Sequence, residues 1–398
     1  MTQPAVSRGA GPRGAGPRDA GPRSAGPRGA VPLLLQLLRE PARAASLSLP
    51  DWDLLLRQAA AARLEASLHG LLDEHGLAGT IPAPARRHLD WAGVHAERHA
   101  RAVRFEVAQI GAALAASGAN GANGTPLLLL KGAAYAMAQL PAGRGRLFSD
   151  IDILVPKDQL AQVEAALMLH GWATVAQDAY DQRYYRTWMH ELPPMKHARR
   201  ASVIDVHHAI LPETARLRPD PAKLRAAAVT LPPAPGQPVG QPPLQVLAPA
   251  DMVLHSAVHL FYDGEFDHGL RDLLDLHRLL TRFGATPGFW DGLGARAAEL
   301  ELGRPLFYAL RYCARLLHTA VPDAVQAAVR AAGPGAALLA LMDALFLRAL
   351  LPNHRSCADR FSAGARFLLY IRGNWLRMPP MLLTRHLFHK AFISPSKD

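Results

Sequence analysis

The chain has 398 residues, 49% of them hydrophobic, with a formal net charge of +11 and only two cysteines, Cys313 and Cys357. That is apolar enough for a sizeable core, in one large domain or two, and too poor in cysteine for a disulfide framework or a cysteine zinc site. The charge is mostly terminal: residues 1–30 hold five arginines against one aspartate, and residues 361–398 hold six Lys or Arg against Asp398. Basic termini make nucleic acid, anionic lipid or a polyphosphate substrate candidate partners. No secretory apolar region opens the chain, and Ala336–Leu351, the most apolar helical stretch, is too short to span a bilayer and is broken by Asp343 and Arg348. With so little cysteine, the expected location is the cytoplasm.

In chain order, residues 1–30 repeat an Ala-Gly-Pro-Arg unit that cannot build a core and is expected to be disordered. Residues 31–118 read as an N-terminal helical region, with leucine stripes at Leu33/Leu34/Leu37/Leu38 and Leu64/Leu68/Leu71/Leu72. Pro41, Pro50, Pro82 and Pro84 punctuate it, and a long helix runs from Trp91 to Ala116. Residues 119–230 read as the catalytic core. A buried strand at 126–131 leads into a short helix, Ala133–Leu140, and then a loop carrying Arg144 and Arg146. Strand Asp150–Val155 and the amphipathic helix Lys157–His170 follow, the helix closed by Gly171 as C-cap. Trp172–Ala176 and Pro194–Ala198 are weak strand patterns, and Ser202–His207 is a stronger one. Strands alternating with helices indicate an α/β layer. Residues 231–249, rich in Pro, Gly and Gln, read as a linker or loop. Residues 250–398 read as a C-terminal helical domain, with Asp251 as N-cap of the helix carrying His255 and His259 and a second helix at Leu270–Leu280.

The stretch with chemistry in it is Asp150-Ile151-Asp152-Ile153-Leu154-Val155. Side chains alternate along a strand, so Asp150 and Asp152 leave one face and Ile151, Ile153 and Val155 the other. Two exposed carboxylates one strand repeat apart suit a hard divalent cation, and Mg²⁺ is commonly held by one or two carboxylates together with substrate phosphates. At Lys131-Gly132, glycine allows close backbone approach to a phosphate, with N–H groups from Ala133 onward pointing at it ahead of a helix dipole. On the strand ending at His207, Asp205 and His207 share a face, so His207 either touches an acceptor or orients the carboxylate. His208 faces the other way. The His255/His259 pair lacks the glutamate of a His-Glu-x-x-His zinc helix.

Leu130-Lys131-Gly132, Arg146, Ser149-Asp150-Ile151-Asp152 and the later Asp205-Val206-His207 together resemble the uncharacterised nucleotidyltransferase family of the polymerase-β superfamily. The resemblance covers about residues 100–280. It implies an α+β fold with a mixed sheet flanked by helices. It also implies an enzyme that uses Mg²⁺ or Mn²⁺ to move a nucleoside monophosphate from an NTP to an acceptor hydroxyl. Asp150, Asp152 and Asp205 would be the metal and catalytic residues. Lys131, Gly132, Arg146, Ser149 and His207 would bind the nucleotide. Asp272 and Asp275, in a second recurring block of the family, are expected to pair with Arg271 and Arg278, with a substrate role left open. The alternative is a non-catalytic module that binds NTP or nucleic acid on the same scaffold, and the basic stretch Phe367–Phe392 leaves a membrane-surface accessory as a third reading. A missing third carboxylate would have favoured the binding module. If Asp205 were structural, Asp178 or Asp181 would be the next candidate.

Overall fold

The computed structural model describes residues 31–116, 126–175, 179–233 and 243–379. The N-terminal repeat, residues 380–398 of the basic C-terminal stretch, and Asp178 lie outside those ranges. Four helices lead: Leu33–Arg39 (α1), Leu49–Ala62 (α2), Glu65–Glu74 (α3) and Ala83–Ala116 (α4). A capping box of Ser48 and Asp51 starts α2, satisfying N–H groups that the first turn leaves without partners. Helix α4 starts eight residues before the Trp91 expected from sequence. Pro84 lies in its first turn, where a missing N–H costs nothing, so this proline marks a start and not a break.

Seven strands form one mixed sheet: Leu127–Leu129 (β1), Asp150–Leu154 (β2), Trp172–Thr174 (β3), Met195–His197 (β4), Val203–His207 (β5), Val229–Thr230 (β6) and Leu244–Val246 (β7). Their order across the sheet is β3-β4-β5-β2-β1-β7-β6. Helices Lys131–Met137 (α5), Leu160–Leu169 (α6), Ala179–Trp188 (α7) and Pro221–Ala226 (α8) lie between strands. Gly171 closes α6 at φ +95°, as its place after the helix requires. Strands β2 and β5 are parallel, with Asp152 opposite Asp205 and Leu154 opposite His207. Strand β1 is antiparallel to β2 and parallel to β7. Within the stretch read as a linker or loop, Leu244–Val246 is therefore a sheet strand. It is three residues long and held by β1 on one side and β6 on the other, too short to show alternation in a Pro-rich background.

The rest is helical: Pro249–Tyr262 (α9), Gly269–Gly284 (α10), Phe289–Glu299 (α11), Gly303–Leu317 (α12), Asp323–Arg330 (α13), Ala336–Ala349 (α14) and Ser362–Arg377 (α15). Asp251 is not the N-cap of α9. Ala248 is, with Pro249 as first residue, and Asp251 is fully buried in a bidentate pair with Arg296 of α11 at 2.7 and 2.9 Å. One apolar core runs from Leu34 through Ile153 and Ile204 to Leu369, so the helices on either side of the sheet in sequence share its interior. Glu106 of α4 ties that helix to the β4–β5 turn, accepting from Arg200 Nε (2.6 Å) and Ser202 Oγ (2.9 Å). Among the described residues no helix is long and apolar enough to cross a membrane.

Candidate functional site

Strands β2 and β5 lie side by side in register, and each sends acids out of one face. Asp150, Asp152 and Asp205 converge with one oxygen each inside 4.8 Å. Ile151, Ile153, Ile204 and Val206 fill the core beneath, as period-two alternation requires. The two aspartates of β2 differ in a way the pattern does not reveal. Asp150 is half-buried, whereas Asp152 is only 4% exposed. A carboxylate that deep needs partners. Asp152 Oδ1 has two: His207 Nε2 at 2.9 Å and Lys131 Nζ at 3.3 Å.

Lys131 reaches that oxygen from the β1–α5 turn. Its backbone is left-handed, at φ +42°, a strained conformation for a residue with a side chain and one that persists at functional sites when the surroundings enforce it. Burial alone would lower the lysine pKa, but the carboxylates of Asp152, Asp263, Glu191 and Asp150 raise it above its ordinary value. In return, burial would raise the Asp152 carboxyl, yet Lys131 and the His207 hydrogen bond hold it well below the usual range. Asp205 shows the opposite balance. Burial first, then Glu191 and Asp152, push its carboxyl up to about 8. Its Oδ1 is buried and has no hydrogen-bond partner among the described residues.

Three residues that the sequence did not single out complete the site. Glu191 forms an isolated β-bridge with His207, and its Oε2 lies 3.2 Å from His207 Nδ1. Burial raises the Glu191 carboxyl. His190, next to it, is pushed far below its ordinary value by burial and by His207 and Lys131. Asp263, at the end of α9, pairs with His259 (3.4 Å) and with Arg377 of α15 (3.4 Å). Helix α9 is held to α5 by Tyr135 Oη and Ser256 Oγ, 2.5 Å apart, which brings His255 and His259 within the field of Lys131.

The predicted nucleotide-binding residues divide. Lys131 and His207 join the carboxylates, with His207 2% exposed and its Nε2 on Asp152 rather than on its strand neighbour Asp205. Ser149 is exposed at the mouth of β2. Gly132 and Arg146 meet each other instead. The Arg146 guanidinium is buried against α10, with Nε 2.5 Å from Asp275 Oδ2 and Nη2 3.7 Å from Asp272 Oδ1. It also lies over the rings of Phe148 (5.6 Å) and Tyr135 (5.8 Å). A Cβ on Gly132 would meet Arg146 Nη1 at 2.5 Å and Phe148 Cδ1 at 2.7 Å. This glycine makes room for the arginine and the ring, and the guanidinium expected to meet phosphate stands here in a buried ion pair. Helix α5 has only seven residues, so the dipole expected behind Gly132 is short. Asp272 pairs with Arg271 as expected, at 2.8 Å. Asp275 takes Arg146 in place of Arg278, whose Nη1 donates to the Arg144 carbonyl at 3.1 Å. Gly145, at φ +68°, lets this loop run against α3, where a Cβ would meet the Ala66 carbonyl at 2.6 Å.

A comparison with curated proteins gives no match. The seven-stranded mixed sheet flanked by helices agrees with the family comparison, whose model matches residues 48–318: the chain belongs to the uncharacterised nucleotidyltransferase family.

Proposed function

We propose that this protein transfers a nucleoside monophosphate from an NTP to an acceptor hydroxyl, with Mg²⁺ or Mn²⁺ held by Asp150, Asp152 and Asp205. The observation that carries this reading is the convergence of three carboxylates from two in-register parallel strands. The donor set fits a hard cation, because all three ligands are oxygens. The unpartnered Oδ1 of Asp205, buried among other acids, fits it too, since a buried polar atom without a partner is costly. A bound divalent cation would neutralise the triphosphate and lower the pKa of the attacking hydroxyl.

The chain's own residues supply the rest. Asp205, on the strand beside the Asp150/Asp152 pair, is the group placed to take the acceptor proton. The acceptor oxygen then bonds to the α-phosphorus as the bond to the pyrophosphate oxygen breaks, and pyrophosphate leaves with the electron pair. Lys131, already at the acid cluster, meets the negative charge of the phosphates as a point cation. His207 holds the Asp152 carboxylate in place through its 2.9 Å hydrogen bond. Arg146 acts indirectly, by fixing the Gly132 turn from behind. The three intact carboxylates argue against the non-catalytic binding module.

The test is incubation of the full chain with each of the four α-labelled NTPs, Mg²⁺ or Mn²⁺ and a cell lysate as acceptor source. Label should move to a product with wild type and not with Asp150→Asn. No metal-dependent label above the variant's background, with any of the four, would refute the enzyme reading.

A further inference from the structure

Beside the three aspartates lies a second group of donors with different chemistry. His190, Glu191 and His207 bring two imidazole nitrogens and a carboxylate oxygen within 4.8 Å of one another. Backbone pairing holds them there: His190 O accepts from His208 N (2.8 Å), Leu192 N donates to Val206 O (2.9 Å), and Glu191 bridges His207. The segment after α7 is thus pinned along β5 at the level of His207.

The ring nitrogens are set as ligands. His207 uses Nε2 on Asp152 Oδ1, which leaves Nδ1 facing Glu191 at 3.2 Å. That Nδ1 is buried and makes no hydrogen bond among the described residues. The same is true of His190 Nδ1. Two buried imidazole nitrogens without hydrogen bonds beside one carboxylate would ordinarily need explaining. We propose that His190 Nδ1, His207 Nδ1 and Glu191 hold a second metal ion of borderline-soft type, zinc or a similar transition metal, distinct from the hard cation of the aspartates. Nitrogen donors favour such an ion over Mg²⁺. Zinc with three protein ligands keeps a fourth position open for water or a substrate atom. Around one zinc ion, donors at roughly 2 Å from the metal stand about 3–3.5 Å apart, the spacing His207 Nδ1 and Glu191 Oε2 already have at 3.2 Å. Asp152 already stands as the carboxylate behind a ligating histidine, the arrangement that fixes the tautomer and strengthens the ligand. The two sites would share the His207–Asp152 hydrogen bond and communicate through it.

The experiment is titration calorimetry of the chelator-treated full chain with Zn²⁺ alone, with Co²⁺ absorption as a second readout of nitrogen ligation. Wild type should bind one Zn²⁺ tightly, and Co²⁺ should give a visible d–d band. His190→Gln and Glu191→Gln should each weaken Zn²⁺ by at least tenfold while keeping the wild-type circular dichroism. Asp150→Asn, which removes a ligand of the aspartate site only, should leave Zn²⁺ affinity within about threefold. Two results overturn the proposal. One is no tight Zn²⁺ site in wild type, leaving His207 as a proton-bridged link between two carboxylates. The other is Zn²⁺ binding lost in Asp150→Asn but kept in His190→Gln, which would put the zinc on the aspartates. Neither result bears on nucleotidyl transfer, which the labelled-NTP assay reads separately.

Discussion

Arg146→Met separates a phosphate ligand from a buried support, because the two roles fail differently. Arg146 and Asp275 side chains are 7% and 6% exposed and meet at 2.5 Å. Withdrawing one partner of a buried pair leaves the other without compensation, at a cost of about 3–5 kcal/mol. Burial and Asp272 already place the Asp275 carboxyl above its usual range against the pull of Arg146. In the variant Asp275 will take a proton, which sets the cost near the lower end. The ~330 described residues, at ~2.1 cal/mol/K each, have an unfolding entropy of ~0.7 kcal/mol/K, so Tm should fall by about 4–5 °C. Gly132→Ala should act in the same direction, by about 1–3 kcal/mol of overpacking against Arg146 and Phe148. Calorimetric melting of both variants, with Mg·NTP affinity measured beside it, reads the two roles apart. An unchanged Tm for Arg146→Met together with a large loss of NTP affinity would refute the buried-support argument and return Arg146 to the phosphates.

Asp150→Asn and Asp152→Asn should both abolish transfer, but only Asp152→Asn should lower Tm, because it strips Lys131 and His207 of their shared carboxylate. Equal Tm for the two variants would contradict the burial difference between them. His277, whose Nδ1 is 2.8 Å from Thr319 Oγ1, is pushed down to about 4 by burial and by Arg278. The unfolded chain therefore takes this proton first. The histidine's contribution is whole above its unfolded pKa of about 6.5 and is lost as pH falls toward 4, about 2 kcal/mol of it by pH 5. Denaturant unfolding should show a shallower loss between pH 7.5 and pH 5 in His277→Gln than in wild type; equal slopes would remove His277 as the cause. Deleting residues 1–30 should leave Tm and NTP binding unchanged, since an Ala-Gly-Pro-Arg repeat has nothing to pack, and a clear drop in Tm would show the reverse.

The strands that carry the acids were legible because alternation is local. In Asp150–Leu154 and Val203–His207 the acids fall on one face and Ile151, Ile153, Ile204 and Val206 on the other, buried in the core, and the sequence alone assigns those faces. Strand β7 was not, because three residues in a Pro-rich stretch acquire a strand only from β1 beside them. The depth of Asp152 was equally hidden: period two says which face it leaves, not that Lys131 and His207 will close over it. Glu191 and His190 follow a helix with no pattern of their own, and reach the site through a bridge to a residue sixteen positions later. The buried partner of Arg146 was not legible either. An arginine before an Asp-x-Asp strand looks available for phosphate until α10, 129 residues further on, supplies Asp275.

The claim that Asp205 belongs to the chemistry, and not merely to the fold, is tested most directly by Asp205→Asn in calorimetric Mg·NTP titration and single-turnover transfer from a labelled NTP. Removing a buried carboxyl pushed up to about 8 should not lower Tm of the metal-free protein. Mg·NTP affinity should stay within about tenfold of wild type, a change of ~1.4 kcal/mol. Turnover should fall by orders of magnitude, as when an interaction made chiefly in the transition state is lost. Normal turnover in Asp205→Asn would contradict the account. It would leave Asp205 a structural acid and send the search for the third carboxylate to Glu191.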